Sequence, residues 1–226
     1  MAKQQKHVTP KGVAIFPHLN TPDTKFDRDG AYNVTLKLHE GDDGVQKLLD
    51  MIDEATDTAY QNALKDIKSA KTRREIEKQV PYDYEEDEDT GERTGYVLFK
   101  FRRKASGVDD NGKRWKATIP MFDAKKNPVT EQVGGGSVIR VSFHMAEYYV
   151  AGQKKAGVSM RIAGVQVLEL KSFGVDADSL GFDEEDGFES SGEVDAGESG
   201  EQDEPERERE PGEDDEPEDE NESPDF

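Results

Sequence analysis

Residues 137–150 read SVIRVSFHMAEYYV. Ile139, Val141, Phe143 and Met145 fall on every second position, and Arg140, Ser142, His144, Ala146 and Tyr148 fill the places between them. Successive side chains of a strand leave on opposite faces, so this segment is apolar on one side and polar on the other, a strand with one face in a core and one in water. Gly134–Ser137 (GGGS) leads into it. The Lys-Ser/Thr pair of a phosphate loop is missing there, which leaves a flexible turn as its role. Downstream, residues 157–170 form a closing strand with Met160, Ile162, Leu168 and Leu170 at core positions, and the small pair Ala163–Gly164 predicts a bulge or sharp bend in it.

The same alternation recurs upstream. Val97, Phe99 and Phe101 alternate with Leu98, Lys100 and Arg102, and the run continues to Lys104. Asp109–Gly112 (DDNG) is a tight-turn signal, so this run and residues 113–119 are expected to pair as a hairpin. On the second arm Trp115, Ala117 and Ile119 oppose Arg114, Lys116 and Thr118; alternation favours the core over a stacking platform for Trp115. Residues 11–17 (KGVAIFP) predict a short apolar strand, residues 20–30 a loop, and residues 31–39 a half-buried strand with Tyr32, Val34, Leu36 and Leu38 inward. Val45, Leu48, Leu49, Ile52, Ala55, Ala59, Ala63 and Ile67 recur at helical spacing, with Asp42 or Asp43 as the expected cap. Residues 82–92 (YDYEEDEDTGE) carry no periodicity and are expected to be a solvated acidic loop.

Five or six short strands with one long helix after the second predict a mainly β protein. At this size the leading architecture is the OB-fold, a five-stranded closed or partly open barrel, here with one inserted α-helix. An open antiparallel sheet with the helix on one face is the alternative.

Charge divides the chain. Residues 172–226 hold 25 Asp/Glu and two Arg, whereas residues 1–171 hold 28 Lys/Arg against 26 Asp/Glu. A slightly basic body thus precedes an anionic tail that has no pattern able to pack. A polyanionic tail can compete with a polyanion bound by the body, or dock on a basic partner. The expected division is residues 1–174 as the folded domain and residues 175–226 as a disordered acidic tail. Pro205, Pro211, Pro217 and Pro224 hold that tail extended. The chain has no cysteine, which removes disulfides, thiol catalysis and Cys-based zinc sites. No stretch approaches the length of a membrane span and the first residues lack the apolar core of a signal peptide, so a soluble intracellular protein without membrane contact is expected.

Enzyme chemistry finds no support. His7, His18, His39 and His144 are scattered without paired ligand spacing, so no metal and no cofactor are expected. The informative pattern is cationic and aromatic. Lys100, Arg102 and Lys104 sit two apart and project from one face of one strand. Arg114 and Lys116 can extend that row across the hairpin. Arg140 and Tyr148 share a face on a later strand, Tyr149 faces opposite Tyr148 toward the core, and Lys154 and Lys155 follow. Cations neutralise phosphates, and rings stack on bases of any identity, at about 1–3 kcal/mol per base, which is the chemistry of sequence-independent binding to single strands.

Several pieces together resemble a known family. Met1–Lys3 (MAK), Phe99–Phe101 (FKF) followed by cations, Gly134–Ser137, the strand Val138–Tyr148, Val165–Gly174 (VQVLELKSFG) and a final Asp225–Phe226 match the layout of the single-stranded DNA-binding proteins of short-tailed, T7-type phages. The resemblance implies an OB-fold, a homodimer and binding of single-stranded DNA in replication, recombination, repair and strand annealing, in the cytoplasm of the infected bacterial host. It implies contacts of the tail with the phage DNA polymerase and primase-helicase. Lys3, Lys100, Arg102, Arg140 and Tyr148 fall where that family places DNA contacts; Lys104 stands where the family has an aromatic, so charge alone remains there. In the tail, Asp214, Asp215, Glu216, Asp219, Glu220, Asp225 and Phe226 are the expected partner-binding residues, with Phe226 as an apolar anchor. The competing reading is an acidic-tailed interaction protein, a chaperone of basic proteins or a DNA mimic, without DNA binding of its own.

Overall fold

A computed structural model describes residues 5–25 and 27–171 of the chain. The expected tail, its seven named residues, Lys3 and the boundary at residue 174 lie outside the described residues. Eleven strands and two helices follow in the order β1 (His7–Val8), β2 (Gly12–Asp23), β3 (Ala31–His39), α1 (Val45–Asp66), α2 (Ala70–Arg74), β4 (Glu77–Gln79), β5 (Tyr82–Glu86), β6 (Arg93–Lys104), β7 (Ser106–Val108), β8 (Arg114–Lys116), β9 (Met121–Phe122), β10 (Val138–Val150) and β11 (Lys155–Glu169).

Five of these strands close a ring. β2 pairs with β3, β3 with β6, β6 with β11, β11 with β10, and β10 returns to β2. All neighbours are antiparallel except β6 and β11. Two joints are thin: β10 meets β2 only through Val138↔Val13 and Ile139↔Gly12, and β6 meets β11 only through Phe101↔Met160 and Arg102↔Arg161. This is the expected OB-type barrel, with the long helix between its second and third strands.

The inward faces follow the apolar alternation. Val34, Leu36, Leu38, Val97, Phe99, Phe101, Ile139, Val141, Phe143, Met160 and Ile162 are all buried, and α1 adds Val45, Leu48, Leu49 and Ile52 to the same cluster. Phe101 and Phe143 meet edge to face across the barrel, ring centroids 5.2 Å apart. Removing either ring costs about 3–5 kcal/mol, since no neighbour can fill the void. The bulge expected at Ala163–Gly164 is present: Gly164 pairs with Ser142 and Ile162 with Phe143, which leaves Ala163 as the extra residue.

Several expectations need correction. The N-cap of α1 is Gly44 at φ 84, without a side-chain capping bond; Asp42 sits in the preceding turn, its N–H donating to His39 O and its carbonyl accepting from Val45 N. Asp42 and Asp43 therefore lie two residues and one residue before the cap position. A second helix, α2, follows the first, capped by the Ser69 hydroxyl, which accepts from Thr72 N. β2 continues to Asp23, into the segment expected to be a loop. The acidic segment from Tyr82 is not a solvated loop at its start: β5 pairs with β6, because Tyr82 buries its ring and donates its hydroxyl to Asp53 Oδ1 at 2.8 Å. The DDNG turn joins β7 to β8 as a separate two-stranded ribbon, so the arm opposite β8 is not β6. Trp115 is 38% exposed on that ribbon, lying over Gly107, and Tyr149 is 39% exposed near the end of β10; neither belongs to the core.

Candidate nucleic-acid interface

The outer face of the barrel is built by register. Residues directly opposite on paired strands project from the same face. His18 of β2 pairs with Asn33 of β3, Asn33 with Arg102 of β6, Arg102 with Arg161 of β11, and Arg161 with His144 of β10. One polar row therefore crosses all five barrel strands and carries two guanidiniums and two imidazoles. Next to it runs Ile15–Thr35–Lys100, and beyond that Val13–Lys37–Leu98.

The surroundings of His144 show the charge gathered on this row. Burial first, then Arg161, Arg103 and Lys6 in turn, hold its imidazole below the usual histidine range. A neutral ring surrounded by three cations from three segments marks a patch of positive potential. Arg103 reaches the carbonyl of Ile162 at 3.5 Å, which holds its guanidinium over β11.

Some of these cations already have carboxylate partners. Lys100 donates to Asp83 of β5, and Arg102 lies 3.6 Å from Asp27. Lys37 donates to both oxygens of Glu85 at 2.6 and 2.7 Å and lies 4.3 Å from the centroid of Tyr96. Lys37 and the Thr94 hydroxyl in turn hold the Glu85 carboxyl below its ordinary range. The Lys100 and Arg102 side chains are both 61% exposed, so these pairs are solvent-screened and worth about 0–1 kcal/mol each, an amount that phosphates can replace.

The residues singled out from the sequence are distributed as follows. Lys100, Arg102 and Lys104 share the outer edge of β6, with Lys104 at its end opposite Ala31. Arg114 and Lys116 stand on the β7–β8 ribbon, opposite Val108 and Ser106, and so do not extend the row on β6. Arg140 lies on the polar face of β10 opposite Gln166, and its Nε donates to the carbonyl of Thr9 at 3.0 Å, fastening the segment after β1 to the barrel. It stands four positions before His144, which stands four positions before Tyr148, about 13 Å each way along the strand. Tyr148 is half-buried opposite Gly157, with burial raising its hydroxyl pKa. Lys154, in the β10–β11 turn, is paired with Glu75 at 2.8 Å; Lys155 opens β11 opposite Val150. Arg161, Arg103, Lys37 and Lys6 were not singled out. Arg161 had a legible signal, an outward cation between the inward Met160 and Ile162.

Among the described residues no group of three or more His, Asp or Glu is gathered as a cation site, and no helix is long and apolar enough to cross a membrane.

Residues 12–170 match the model of the family described as single-stranded DNA-binding protein, bacteriophage T7. The single-stranded DNA-binding protein of enterobacteria phage T3 is 27% identical over 189 residues, covering 77% of this chain and 81% of the relative. That of Escherichia phage T7 is 29% identical over 174 residues, 74% of each. The crystal structure of the phage T7 protein superposes with a TM-score of 0.64 over 84% of this chain and 100% of the other, at 23% identity, a likeness in fold.

Proposed function

Because the chain belongs to the family of the bacteriophage T7 single-stranded DNA-binding protein, we propose that it coats single-stranded DNA along the outer face of its barrel, without reading base sequence. The observation that carries this is the row His18–Asn33–Arg102–Arg161–His144, continuous in register across five strands and flanked by Lys100 and Lys104. Phosphates meet the guanidiniums and ammoniums, and exposed rings are left for bases. Lys3, Arg114, Lys116, Arg140, Tyr148, Lys154 and Lys155 belong to the same proposal as flanking contacts, with Lys154 exchanging Glu75 for phosphate. The protein is not an enzyme.

The acidic tail, residues 175–226, acts in this reading as a tethered competitor for the row. DNA displaces it, and its Asp- and Glu-rich end with Phe226 becomes available to the phage DNA polymerase and primase-helicase. A homodimer acting in replication, recombination, repair and strand annealing within the infected host cytoplasm completes the proposal.

The test is a titration of labelled oligo-dT, with duplex as control, across a salt series. Each phosphate neutralised contributes about −0.7 to the slope of log affinity against log salt. Arg102→Ala with Arg161→Ala is expected to flatten the slope by up to about 1.4, less by whatever Asp27 already neutralises on Arg102. Deletion beyond Leu180 is expected to tighten binding. An unaltered slope in the double variant overturns the placement of the interface, and unaltered affinity in the deletion overturns the tail's competition.

A further inference from the structure

β2 breaks its own alternation between Ile15 and His18. Gly12 and Ala14 face inward, so regular pleating turns residue 16 inward as well. Instead Pro17 and Leu19 take the buried positions and Phe16 is 80% exposed. The cause is a bulge. Ile15 pairs with Thr35 and His18 with Asn33, so Phe16 and Pro17 together oppose the single residue Val34. Phe16 has φ 47, the left-handed region that a bulge usually gives to glycine. A bulky side chain adopts that backbone only at a cost, and a phenyl ring left in water forgoes the stabilisation of burial. The free protein thus bears two penalties at one residue. Backbone strain of this kind, held in place by its surroundings, concentrates at binding sites.

The location supplies the reason. Ile15–Thr35 continues to Lys100, and His18–Asn33 continues to Arg102. The bulge sits between the two rows that carry these cations, two interstrand spacings from β6, about 10 Å away. A nucleotide whose phosphate rests on Lys100 or Arg102 spans that distance with its sugar and base.

We propose that Phe16 is a base-stacking residue, aimed onto the outer face of the barrel by the β2 bulge, that holds the bases of single-stranded DNA whose phosphates lie on β6. This rests on the DNA-binding reading above and deepens it. Stacking is blind to base identity and carries no charge, so its signature differs from that of the cations.

The experiment uses the full chain. Phe16→Ala is expected to weaken oligo-dT binding about 5- to 150-fold, the equivalent of one lost stack, at an unchanged salt slope. Phe16→Trp in a Trp115→Phe background is expected to keep affinity and lose indole fluorescence on binding. Phe16→Gly, which the left-handed backbone accepts without strain, guards against a folding artefact: it is expected to match Phe16→Ala in binding while melting no lower than wild type. Abasic sites in the oligonucleotide are expected to weaken wild type more than Phe16→Ala. If wild type binds oligo-dT and both the Ala and Gly variants bind equally well, the stacking role is overturned while the interface stands. Loss of self-association without loss of DNA affinity overturns it too, in favour of a contact with a second copy. If wild type fails to bind at all, the functional reading falls and this inference with it.

Discussion

Neutralising two acids on β5 is expected to tighten DNA binding. Asp83 and Glu85 hold Lys100, in the row beside the crossing row, and Lys37, in the row beyond that. In the double variant Asp83→Asn, Glu85→Gln both ammoniums lose their charged partners, while β5 stays docked through the buried Tyr82 and its bond to Asp53. The Lys100–Asp83 pair is exposed and worth about 0–1 kcal/mol, so releasing Lys100 raises affinity by up to about fivefold at low salt, and releasing Lys37 from its half-buried pair with Glu85 adds a factor of the same order. The salt series is the sharper reading. A lysine that leaves a carboxylate for a phosphate changes the count of bound ions little, whereas a free lysine adds about 0.7 to the magnitude of the slope, or about 1.4 for two. Anisotropy titration of oligo-dT from low to high salt measures both quantities, with a melting curve to check that the fold is intact. An unchanged slope with unchanged affinity refutes the reasoning, because it means DNA never reaches Lys37 and Lys100.

Four further expectations follow from the described residues. His144 is held neutral by burial and by Arg161, Arg103 and Lys6, so its folded pKa lies below its unfolded value of about 6.5. The unfolded chain then binds the extra proton first, and stability contributed by this site is full above pH 6.5 and declines as pH falls below it; His144→Gln removes that part of the decline in a pH series of melting curves. A phosphate beside His144 favours its charged form, so DNA binding is expected to take up a proton and strengthen between pH 7.5 and 5.5 in wild type but not in His144→Gln, read by titration at each pH. Thr56 Oγ1 is fully buried in α1 without a hydrogen-bond partner, so Thr56→Val is expected to stabilise by about 1 kcal/mol and raise the melting temperature by about 2–4 °C. A methyl group on Gly157 would lie 2.1 Å from the carbonyl oxygen of Gln79, so Gly157→Ala is expected to push β4 off β11 and cost about 1–3 kcal/mol in denaturant unfolding.

What was legible in the sequence was whatever one-sided burial imposes. The inward residues of β3, β6 and β10 announce themselves by period because the barrel buries one face only, and Ala163–Gly164 announces its bulge because small residues tolerate the bend. β5 was hidden because its outward residues are acids that pair with lysines across the sheet, which reads as a solvated loop until the partners are seen. Phe16 was hidden for the opposite reason: an apolar residue inside an apolar strand is counted as core, and only the register shows that a bulge has turned it out. The row across the barrel required pairings between distant segments, Asn33 with Arg102 and Arg102 with Arg161 among them, and alternation within one segment carries no such information.

The joint between β6 and β11 is two residue pairs long, and one of those pairs is Arg102↔Arg161. Like charges thus face each other at one of the two thin joints of the ring. Left bare, they push its two halves apart; covered by a polyanion, they become a clasp. In the proposed reading DNA mends the wall it lies on, and amides on both sides of that joint are expected to exchange their hydrogens more slowly once DNA is in place.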